Sequence, residues 1–195
     1  RWSTRHNGRR ARRVVADSQA TKQDLVQLDN IPADKIDVIY PGVDSALEPV
    51  EDEEKITAVL RHYNISPPYL LYLSTLQPRK NLVRLIQAYA ASGLLHQLVL
   101  AGKPGWLSHP ILEVIAEQSP EIRERMVVTG FVDEADKAAL LSGATAVLYP
   151  SLYEGFGFPV LEAQKCGTAV LTANTSSLPE VAGDAALLVD PLDTA

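Results

Sequence analysis

The sequence predicts an α/β fold, a Rossmann-like parallel sheet with helices on both faces. Short apolar segments of strand character alternate with segments whose apolar residues recur every three or four positions, a pattern typical of helices packed on a parallel sheet. The chain has 195 residues, of which 46% are hydrophobic, enough to bury one core of ordinary size. No apolar run approaches the roughly 20 residues that a membrane-spanning helix requires.

Eight short segments are predicted to be strands, and helical periods lie between them. The strands are residues 13–17, 36–40, 69–74, 97–101, 126–129, 146–149, 169–172 and 186–189. Four polar residues stand where a helix should begin, since their side chains can accept hydrogen bonds from the free backbone N–H groups of a first turn. They are Ser18, whose helix is expected to run to about Asp29, and Asn81, Ser108 and Asp133.

A domain boundary is predicted near Pro41. Residues 39–54 are rich in turn residues and acids, and they follow neither the helical nor the strand period. The elements within residues 1–40 are too few to bury their own apolar faces, so we expect them to belong to an incomplete neighbouring domain. Residues 41–195 are expected to form one α/β domain that is cut short after its last strand.

The net charge of −6 conceals an uneven distribution. Six arginines and no acid lie within residues 1–13, which leaves 12 basic and 24 acidic groups in residues 14–195. Such an acidic body disfavours nucleic acid as a partner, because phosphate contacts supply most non-specific affinity for it. The arginine-rich start allows contact with an anionic membrane surface, although a solvated helix end is the simpler interpretation.

Cysteine usage favours a reducing compartment. Cys166 is the one cysteine in the sequence, so it has no partner for an internal disulfide, and we expect it to be a packed core thiol. We therefore expect a cytoplasmic protein, located at the inner membrane face if its arginines bind lipid.

The residues best suited to chemistry follow the strand predicted at 146–149. Glu154 and Glu162 lie eight positions apart, and Gly155 and Gly157 between them prevent one continuous helix. Glu154 is therefore expected in a loop at the carboxyl end of a parallel strand, where open α/β sheets place their ligands.

Glu162 is expected about one turn into the following helix. Pro159 suits a first helical position, because the N–H that proline lacks would be unpaired there. The N–H groups of Val160 and Leu161 should be free at this start, where the helix dipole is positive, so we expect an anion site. For two isolated acids, a solvated loop acid and a partner of the helix dipole are the simpler interpretations.

A pair of cations is predicted at the same edge of the sheet. Arg79 and Lys80 follow the strand predicted at 69–74 and stand where another helix begins. Two adjacent cations oppose the positive end of a helix dipole, an unfavourable arrangement that suggests an anion to receive them, such as a diphosphate. Taken singly, each is equally well explained as an ordinary solvated charge.

Joined together, these motifs resemble those of the group 1 (family 4) retaining glycosyltransferases, which use nucleotide sugars and have the two-domain GT-B architecture. Glu154 and Glu162 have the spacing of that family's E-x7-E motif. The phrase STLQPRKNL at 74–82 is similar to its G-T-L-x-P-R-K-N-L, and VIYPGVD at 38–44 is similar to its interdomain V-I-x-x-G-V-D. Residues 128–191 resemble the family block throughout. E-x7-E alone is a weak pattern, but together with P-R-K-N and the right order of strands it is specific.

The resemblance implies a role for each part of the chain. Residues 1–40 would end the acceptor-binding N-terminal domain, and residues 41–195 would form most of the nucleotide-sugar-binding C-terminal domain. The catalytic set would be Glu154 on sugar hydroxyls near the reacting carbon, with Arg79 and Lys80 on the donor diphosphate. The donor-binding set would be Glu162 on the ribose, the backbone of Gly155, Phe156 and Gly157 along the sugar, Val160 and Leu161 at the helix start, and Gly130, Phe131 and Val132 beside the base.

The predicted chemistry requires no metal and no cofactor. Breaking a sugar–diphosphate bond develops negative charge on the leaving oxygen, which two cations and a helix start can stabilise. The sequence has no Asp-x-Asp pair at a strand end and no His/Cys cluster at ligand spacing, and its four histidines are scattered. In the family, retention is attributed to same-face attack by the acceptor. A glycosidase pair fits less well, because its carboxylates face each other across one bond.

The expected partners are a nucleotide-diphosphate sugar and an acceptor hydroxyl on a glycan, a lipid-linked glycan or another molecule. GDP-mannose is preferred over a UDP-sugar, as in the family's P-R-K-N members. The missing N-terminal domain of the same enzyme would be a further partner, and the chain alone is expected to be inactive. Two alternatives are a nucleotide-binding Rossmann-like module without catalysis of its own and an NAD-dependent dehydrogenase domain. The sequence argues against a dehydrogenase, because it has no G-x-G-x-x-G fingerprint between a strand and a helix.

Two positions depart from the family pattern. Ser74 stands where Gly is frequent before Thr-Leu, which leaves open how closely that backbone approaches a phosphate. Pro41 replaces a frequent Asn of the hinge phrase, and this removes a backbone donor.

Overall fold

The structure is a computed structural model that describes residues 2–194, and its strands form two parallel sheets. In the small sheet, β1 (Val14–Ala16) pairs with β2 (Ile36–Val38). The main sheet has six strands in the order β5-β4-β3-β6-β7-β8. These are β3 (Tyr69–Leu73), β4 (Gln97–Ala101), β5 (Met126–Gly130), β6 (Ala146–Tyr149), β7 (Ala169–Ala173) and β8 (Leu187–Val189). All eight predicted strands are confirmed, with ends that differ by at most two residues.

Nine α-helices lie within residues 2–194. They are α1 (Trp2–Arg10), α2 (Gln19–Asp29), α3 (Glu53–His62), α4 (Leu82–Ser92), α5 (His109–Ala116), α6 (Pro120–Arg123), α7 (Glu134–Ser142), α8 (Phe158–Lys165) and α9 (Leu178–Ala182). None of the described helices is long and apolar enough to cross a lipid bilayer.

The order of the main sheet explains why helices cover both of its faces. From β3 the chain moves to β4 and then to β5, after which it returns to the other side of β3 and continues through β6, β7 and β8. Crossovers between parallel strands are right-handed, so reversing the direction of travel moves the connecting helices to the opposite face. The α4–α5 pair therefore covers one face, and α7 and α8 cover the other. This confirms the predicted Rossmann-like fold.

The four polar residues predicted to begin helices do so, but only one caps its helix with its side chain. Ser18 Oγ accepts a hydrogen bond from Thr21 N–H at 2.9 Å at the start of α2. Ser108 and Asp133 precede α5 and α7 without a capping bond. Asn81 adopts a left-handed conformation with φ 64° before α4. The Asn81 amide instead donates to the carbonyls of two prolines, Pro150 and Pro191, at 3.1 and 2.7 Å.

The centre of the main sheet is buried on both faces. Tyr69, Tyr72 and Tyr149, on β3 and β6, are each at most 1% exposed. A buried phenol needs a hydrogen-bond partner. The Tyr69 hydroxyl donates to Leu140 O at 2.7 Å, and the Tyr72 hydroxyl donates to Thr75 O at 2.9 Å. Cys166 is a buried free thiol, as predicted. A rigid sheet thus carries the loops at its carboxyl edge.

The segment at 39–54 includes the first residues of a helix, which its acidic composition did not indicate. Asp52 Oδ1 accepts hydrogen bonds from the N–H groups of Glu54 and Lys55 at 2.9 and 3.2 Å. The helix α3 therefore begins at Glu53, where acids lie at the positive end of the helix dipole. The two-domain division of residues 1–40 and 41–195 stays a prediction.

Candidate functional site

The candidate site lies where two neighbouring strands of the main sheet end. β3 and β6 are adjacent and parallel, but the chain leaves them in opposite directions along the sheet. Open α/β sheets bind ligands at such a switch point, beyond the carboxyl ends of the strands. Arg79 and Lys80 follow β3 in a turn of 3-10 helix, and Glu154 lies in the loop after β6. The structure brings together the three residues for which the family resemblance implies a catalytic role.

Glu154 pairs with both cations. Its Oε1 lies 2.7 Å from Lys80 Nζ, and its Oε2 forms an ion pair with Arg79. The Tyr149 hydroxyl donates to Glu154 Oε1 at 3.1 Å and accepts a hydrogen bond from Lys80. Glu154 is 7% and Lys80 5% exposed, whereas the Arg79 side chain is 41% exposed. Lys80 is therefore not a solvated surface charge, and Arg79 is the cation that solvent reaches.

The two adjacent cations were predicted to receive an anion such as a diphosphate, and within the protein that anion is the Glu154 carboxylate. Both already contact the Glu154 carboxylate. They also lie in a 3-10 turn, Pro78–Lys80, that precedes α4 rather than within that helix. Two cations and one carboxylate leave the cluster with one positive charge in sum.

Burial acts on both members of the Lys80–Glu154 pair. Burial alone raises the pKa of Glu154, but the hydrogen bonds from Lys80 and Arg79 outweigh it and hold that pKa below its usual value. Burial also lowers the pKa of Lys80, and the nearby carboxylate restores only part of the loss. The lowered pKa of Glu154 favours an ionised pair, whereas the lowered pKa of Lys80 favours a neutral amine. We take Glu154 as ionised, because two cations contact its carboxylate.

Backbone contacts fix the loop that carries Glu154. Its N–H donates to Ser176 Oγ at 2.9 Å. The Ser177 hydroxyl lies 3.0 Å from Glu154 O and 2.6 Å from Phe156 O, which it can approach as a donor. Gly157 ends the loop with φ 122°, and a Cβ there would lie 2.9 Å from Leu178 Cδ2. Only glycine fits this backbone without strain.

The helix α2 of the small-sheet unit contacts the same loop. Gly155 O accepts hydrogen bonds from the hydroxyls of Ser18 and Thr21 at 2.6 and 3.1 Å. On the other side, the Glu180 carboxylate accepts hydrogen bonds from the first two N–H groups of α2, at 2.9 and 3.0 Å. These contacts attach the small-sheet unit to the loop beside Glu154.

The start of α8 differs in part from the predicted anion site. Val160 N–H is not free, because it donates to Gly157 O at 3.0 Å, and the Val160 side chain is fully buried. Leu161 is half-buried. Phe156, predicted beside the sugar, is 6% exposed, and its ring contacts that of Phe158 at a centroid distance of 5.1 Å. The prediction of a free N–H group at Val160 is therefore wrong.

Glu162 belongs to a different ion-pair group. It lies on α8 as predicted, and its Oε1 is 2.9 Å from Lys137 Nζ, which also lies 2.6 Å from Glu134. Burial lowers the pKa of Lys137, but the hydrogen bonds to Glu134 and Glu162 outweigh it and raise that pKa. The two acids of the E-x7-E spacing therefore have separate partners, Arg79 and Lys80 for Glu154 and Lys137 for Glu162.

The three residues predicted beside the base lie at the end of β5, the edge strand of the main sheet. Gly130 has φ 72°, Phe131 is 58% exposed, and Val132 is half-buried. Lys103, which follows β4, places its Nζ 4.2 Å from the centre of the Phe131 ring. The carboxyl end of β5 is therefore open to solvent, and a cation lies over an aromatic ring there.

The sequence analysis missed four contributors to the site. Tyr149 was predicted only as the last residue of a strand, and Ser18 only as a helix cap. Ser177 gave no signal, since its contacts to the Glu154 loop join distant parts of the chain. Lys103 follows a strand and a glycine, a position comparable to that of Arg79, and this signal was available in the sequence.

Ser74, the residue that departs from the family pattern, lies close to another strand end. A Cβ on Gly102, after β4, would lie 1.9 Å from Ser74 O, so the two backbones touch. The Ser74 N–H donates to Ala101 O at 2.9 Å. Ser74 backbone atoms are therefore engaged with the end of β4.

Two further features lie apart from the charged cluster. Within residues 2–194 there is no group of three or more His, Cys, Asp or Glu side chains that could hold a metal ion. A cavity of about 460 Å³ lies between α4 and strands β6 to β8, and its walls are mostly apolar, with Leu85, Leu148 and Val170 among them. It does not include Arg79, Lys80 or Glu154.

The family models and the curated relatives that match this chain are all glycosyltransferases. Residues 54–194 match the family described as glycosyl transferases group 1, and residues 1–47 match glycosyltransferase family 4. The chain is 34% identical over 187 residues to the O-antigen chain mannosyltransferase B of Escherichia coli, covering 94% of this chain and 49% of that protein. It is also 34% identical over 191 residues to the serotype-specific mannosyltransferase WbdA of Escherichia coli, covering 94% of this chain and 23% of that protein.

The fold has a close counterpart among solved structures. The Anabaena protein HepE in complex with UDP-glucose superposes with a TM-score of 0.87 at 23% identity, covering 99% of this chain and 54% of that one. The chain thus spans about half the length, or less, of the relatives it matches. One family match covers most of the chain, and it includes every element of the main sheet. The chain belongs to the group 1 family of glycosyl transferases.

Proposed function

We propose that the whole protein is a retaining glycosyltransferase that moves a sugar from a nucleotide-diphosphate sugar to an acceptor hydroxyl. The observation that carries this proposal is the cluster of Arg79, Lys80 and Glu154 at the switch point of the sheet, within the segment that matches the family. Residues 1–40 are taken as the end of the acceptor-binding domain and residues 41–195 as the donor-binding domain.

The charges of the cluster suit a diphosphate. Lys80 is already enclosed with Glu154, but the Arg79 guanidinium is partly exposed and has donors beyond those that contact Glu154 and Tyr153 O. A guanidinium can bind phosphate through two parallel N–H groups. The net positive charge of the cluster favours a bound anion. Lys80 is buried, but its charge adds to the positive potential at the surface.

The same arrangement supports cleavage of the sugar–diphosphate bond. Negative charge develops on the leaving phosphate oxygen, and cations that are already fixed in place stabilise it without reorganising. Glu154 holds Lys80 and Arg79 in position, and its carboxylate can also accept hydrogen bonds from sugar hydroxyls. In this proposal the cations replace a metal ion, and the acceptor attacks the face that the diphosphate leaves.

The carboxyl edge is long enough for the whole donor. The ends of β5, β4, β3 and β6 are consecutive, and strands lie about 4.8 Å apart, so this edge spans about 14 Å. We place the base near Phe131, the diphosphate near Arg79 and the sugar near Glu154. Glu162 is the proposed contact to the ribose, and it would then exchange part of its pairing with Lys137.

We propose GDP-mannose as the donor and a UDP-sugar as the alternative. The mannosyltransferase relatives support mannose, whereas HepE was solved with UDP-glucose. The acceptor is a hydroxyl on a glycan or a lipid-linked glycan. The proposed setting is the cytoplasm, where the exposed arginines of α1, Arg5, Arg9 and Arg10, can contact the inner membrane face.

Calorimetric titration with GDP, UDP, GDP-mannose, UDP-glucose and NAD tests this proposal. We expect a nucleoside diphosphate and its sugar to bind and NAD not to bind. Arg79→Ala should weaken diphosphate binding by about 1–3 kcal/mol, because a charge-assisted hydrogen bond is lost. Arg61→Ala, which removes an exposed arginine of α3, is the matched control and should bind like the wild type.

Two results would contradict the proposal. One is the failure of every nucleoside diphosphate to bind, and the other is equal affinity in wild type and Arg79→Ala. Transfer assays on the whole protein test the catalytic part, where Glu154→Gln should spare nucleotide affinity but lower turnover.

A further inference from the structure

Asp17 lies directly against the loop that carries Glu154. It follows β1 of the small sheet, and its carboxylate faces Gly155 across the boundary between the two sheets. A Cβ on Gly155 would lie 3.3 Å from Asp17 Oδ2 and 4.0 Å from Oδ1. The absence of a side chain at Gly155 therefore brings the carboxylate close to the loop backbone.

One oxygen of this carboxylate is unsatisfied. Asp17 Oδ1 is buried and has no hydrogen-bond partner among the described residues. Carboxylate oxygens accept hydrogen bonds, and a buried acceptor without a donor is costly. Such an atom in a folded protein calls for a specific explanation.

The hydroxyl donors beside Asp17 have other hydrogen-bond partners. The hydroxyls of Ser18 and Thr21 both contact Gly155 O. The Tyr153 hydroxyl donates to Asp24, and Arg79 donates to Tyr153 O as well as pairing with Glu154. The groups around the loop therefore form a connected set that leaves out Asp17 Oδ1.

Only a few kinds of chemical group can be the partner of the Asp17 carboxylate. The unsatisfied Oδ1 is a hydrogen-bond acceptor, so the partner must be a donor. A phosphate is unsuitable, since two anions repel. No group of three metal-ligating side chains is present among residues 2–194 that would make Asp17 part of a metal site. Hydroxyl groups fit, and the proposed donor supplies several of them beside Glu154.

We propose that Asp17 is a binding residue for the sugar of the donor, with its carboxylate accepting a hydrogen bond from a hydroxyl of the hexosyl group that lies over Gly155. This inference rests on the proposed function. It assigns to the small-sheet unit a direct contact with the transferred sugar. A sugar whose hydroxyl cannot reach Asp17 leaves the carboxylate unsatisfied, so the contact selects among sugars.

Paired titrations separate the sugar contact from nucleotide binding. GDP and GDP-mannose, and UDP and UDP-glucose, are titrated into the wild type, Asp17→Ala and Asp17→Asn. We expect Asp17→Ala to leave the affinity for the free diphosphate unchanged and to weaken the sugar nucleotide about tenfold, as the loss of a hydrogen bond to a charged group predicts. Asp17→Asn keeps the shape and one acceptor oxygen, so its loss should be smaller. Asp34→Ala, an exposed acid before β2, is the matched control.

Deoxy analogues of the sugar nucleotide identify the hydroxyl. The analogue that lacks the contacted hydroxyl should bind the wild type more weakly but should bind Asp17→Ala no more weakly than the parent sugar nucleotide does.

Each other result overturns one specific statement. If no diphosphate binds the wild type, the proposed function fails, whatever the role of Asp17. If the diphosphate binds but the sugar nucleotide is equally tight in all variants, Asp17 does not contact the sugar. If diphosphate and sugar nucleotide weaken together in Asp17→Asn, whose shape is preserved, Asp17 only supports the loop, and the inference is wrong.

Discussion

The proposed donor site runs along the carboxyl edge of the sheet from β5 to β6, and its two ends are built in opposite ways. At β3 and β6, Lys80, Glu154 and Tyr149 are buried and bonded to one another. At β5, Phe131 is 58% exposed, and its contact with Lys103 lies on the surface. The first end has its charges paired and buried in the folded protein, whereas the second offers exposed side chains to a ligand.

This difference suits the two tasks of the proposed donor site. Charge stabilisation at a breaking bond is most effective when the stabilising groups need not reorganise. Binding of a base by stacking needs only an accessible face, which an exposed ring supplies. The buried end should therefore dominate the stability of the fold and the open end should contribute mainly to ligand affinity.

Glu154→Ala should give the largest loss of stability. It leaves Lys80 as a buried cation without its carboxylate, and breaking a buried pair costs about 3 kcal/mol or more. Urea unfolding measures the free energy of unfolding. Lys80→Met combined with Glu154→Ala should recover much of the loss, because the unpaired charge is removed. Glu162→Ala, which breaks a less buried pair with Lys137, is the control and should cost clearly less.

The stabilisation by the Glu154 carboxylate should depend on pH. Its pKa is held below the usual 4.5, so the contribution is complete above that pH and is lost as the pH falls through the lower, folded pKa. Glu154→Gln lacks this titration. The difference in unfolding free energy between wild type and Glu154→Gln should therefore be constant near neutral pH and shrink below about pH 4.5. If this difference in unfolding free energy stays constant down to pH 2, the ionised Glu154 carboxylate does not stabilise the fold through Lys80 and Arg79.

Ser18→Ala should have the next largest effect. It removes the cap of α2 and a hydrogen bond to Gly155 O, which together cost about 1–3 kcal/mol. Ser119→Ala removes the cap of α6 and a local hydrogen bond with Glu121, and it is the matched control. Thermal unfolding of both variants measures the difference. Equal losses would mean that the contact with Gly155 does not stabilise the loop.

Phe131→Ala should have the smallest effect on stability, less than about 0.5 kcal/mol, since the ring is exposed. Its effect on nucleotide binding should be larger, about 1 kcal/mol, if the base stacks there. Phe156→Ala removes a buried ring at the other end and should cost about 3 kcal/mol of stability. A large loss of stability in Phe131→Ala would remove the contrast between the two ends.

The sequence predicts the strands and the edge at which the candidate residues lie. Apolar periods locate all eight strands, since burial requires those periods. The order of strand and helix places Arg79, Lys80 and Glu154 at one edge. Composition conceals α3, because its first residues are acids that serve as a cap and as partners of the helix dipole.

The tertiary structure decided which charges pair. Neither the eight-residue spacing nor the helix dipole indicates that Glu154 binds both cations while Glu162 binds Lys137. The buried Tyr149 hydroxyl contacts Lys80, which is 69 positions away, and the Ser18 hydroxyl contacts Gly155 O, which is 137 positions away. Periodicity is a local property that the chain carries by itself, whereas pairing depends on which loops the folded sheet brings together.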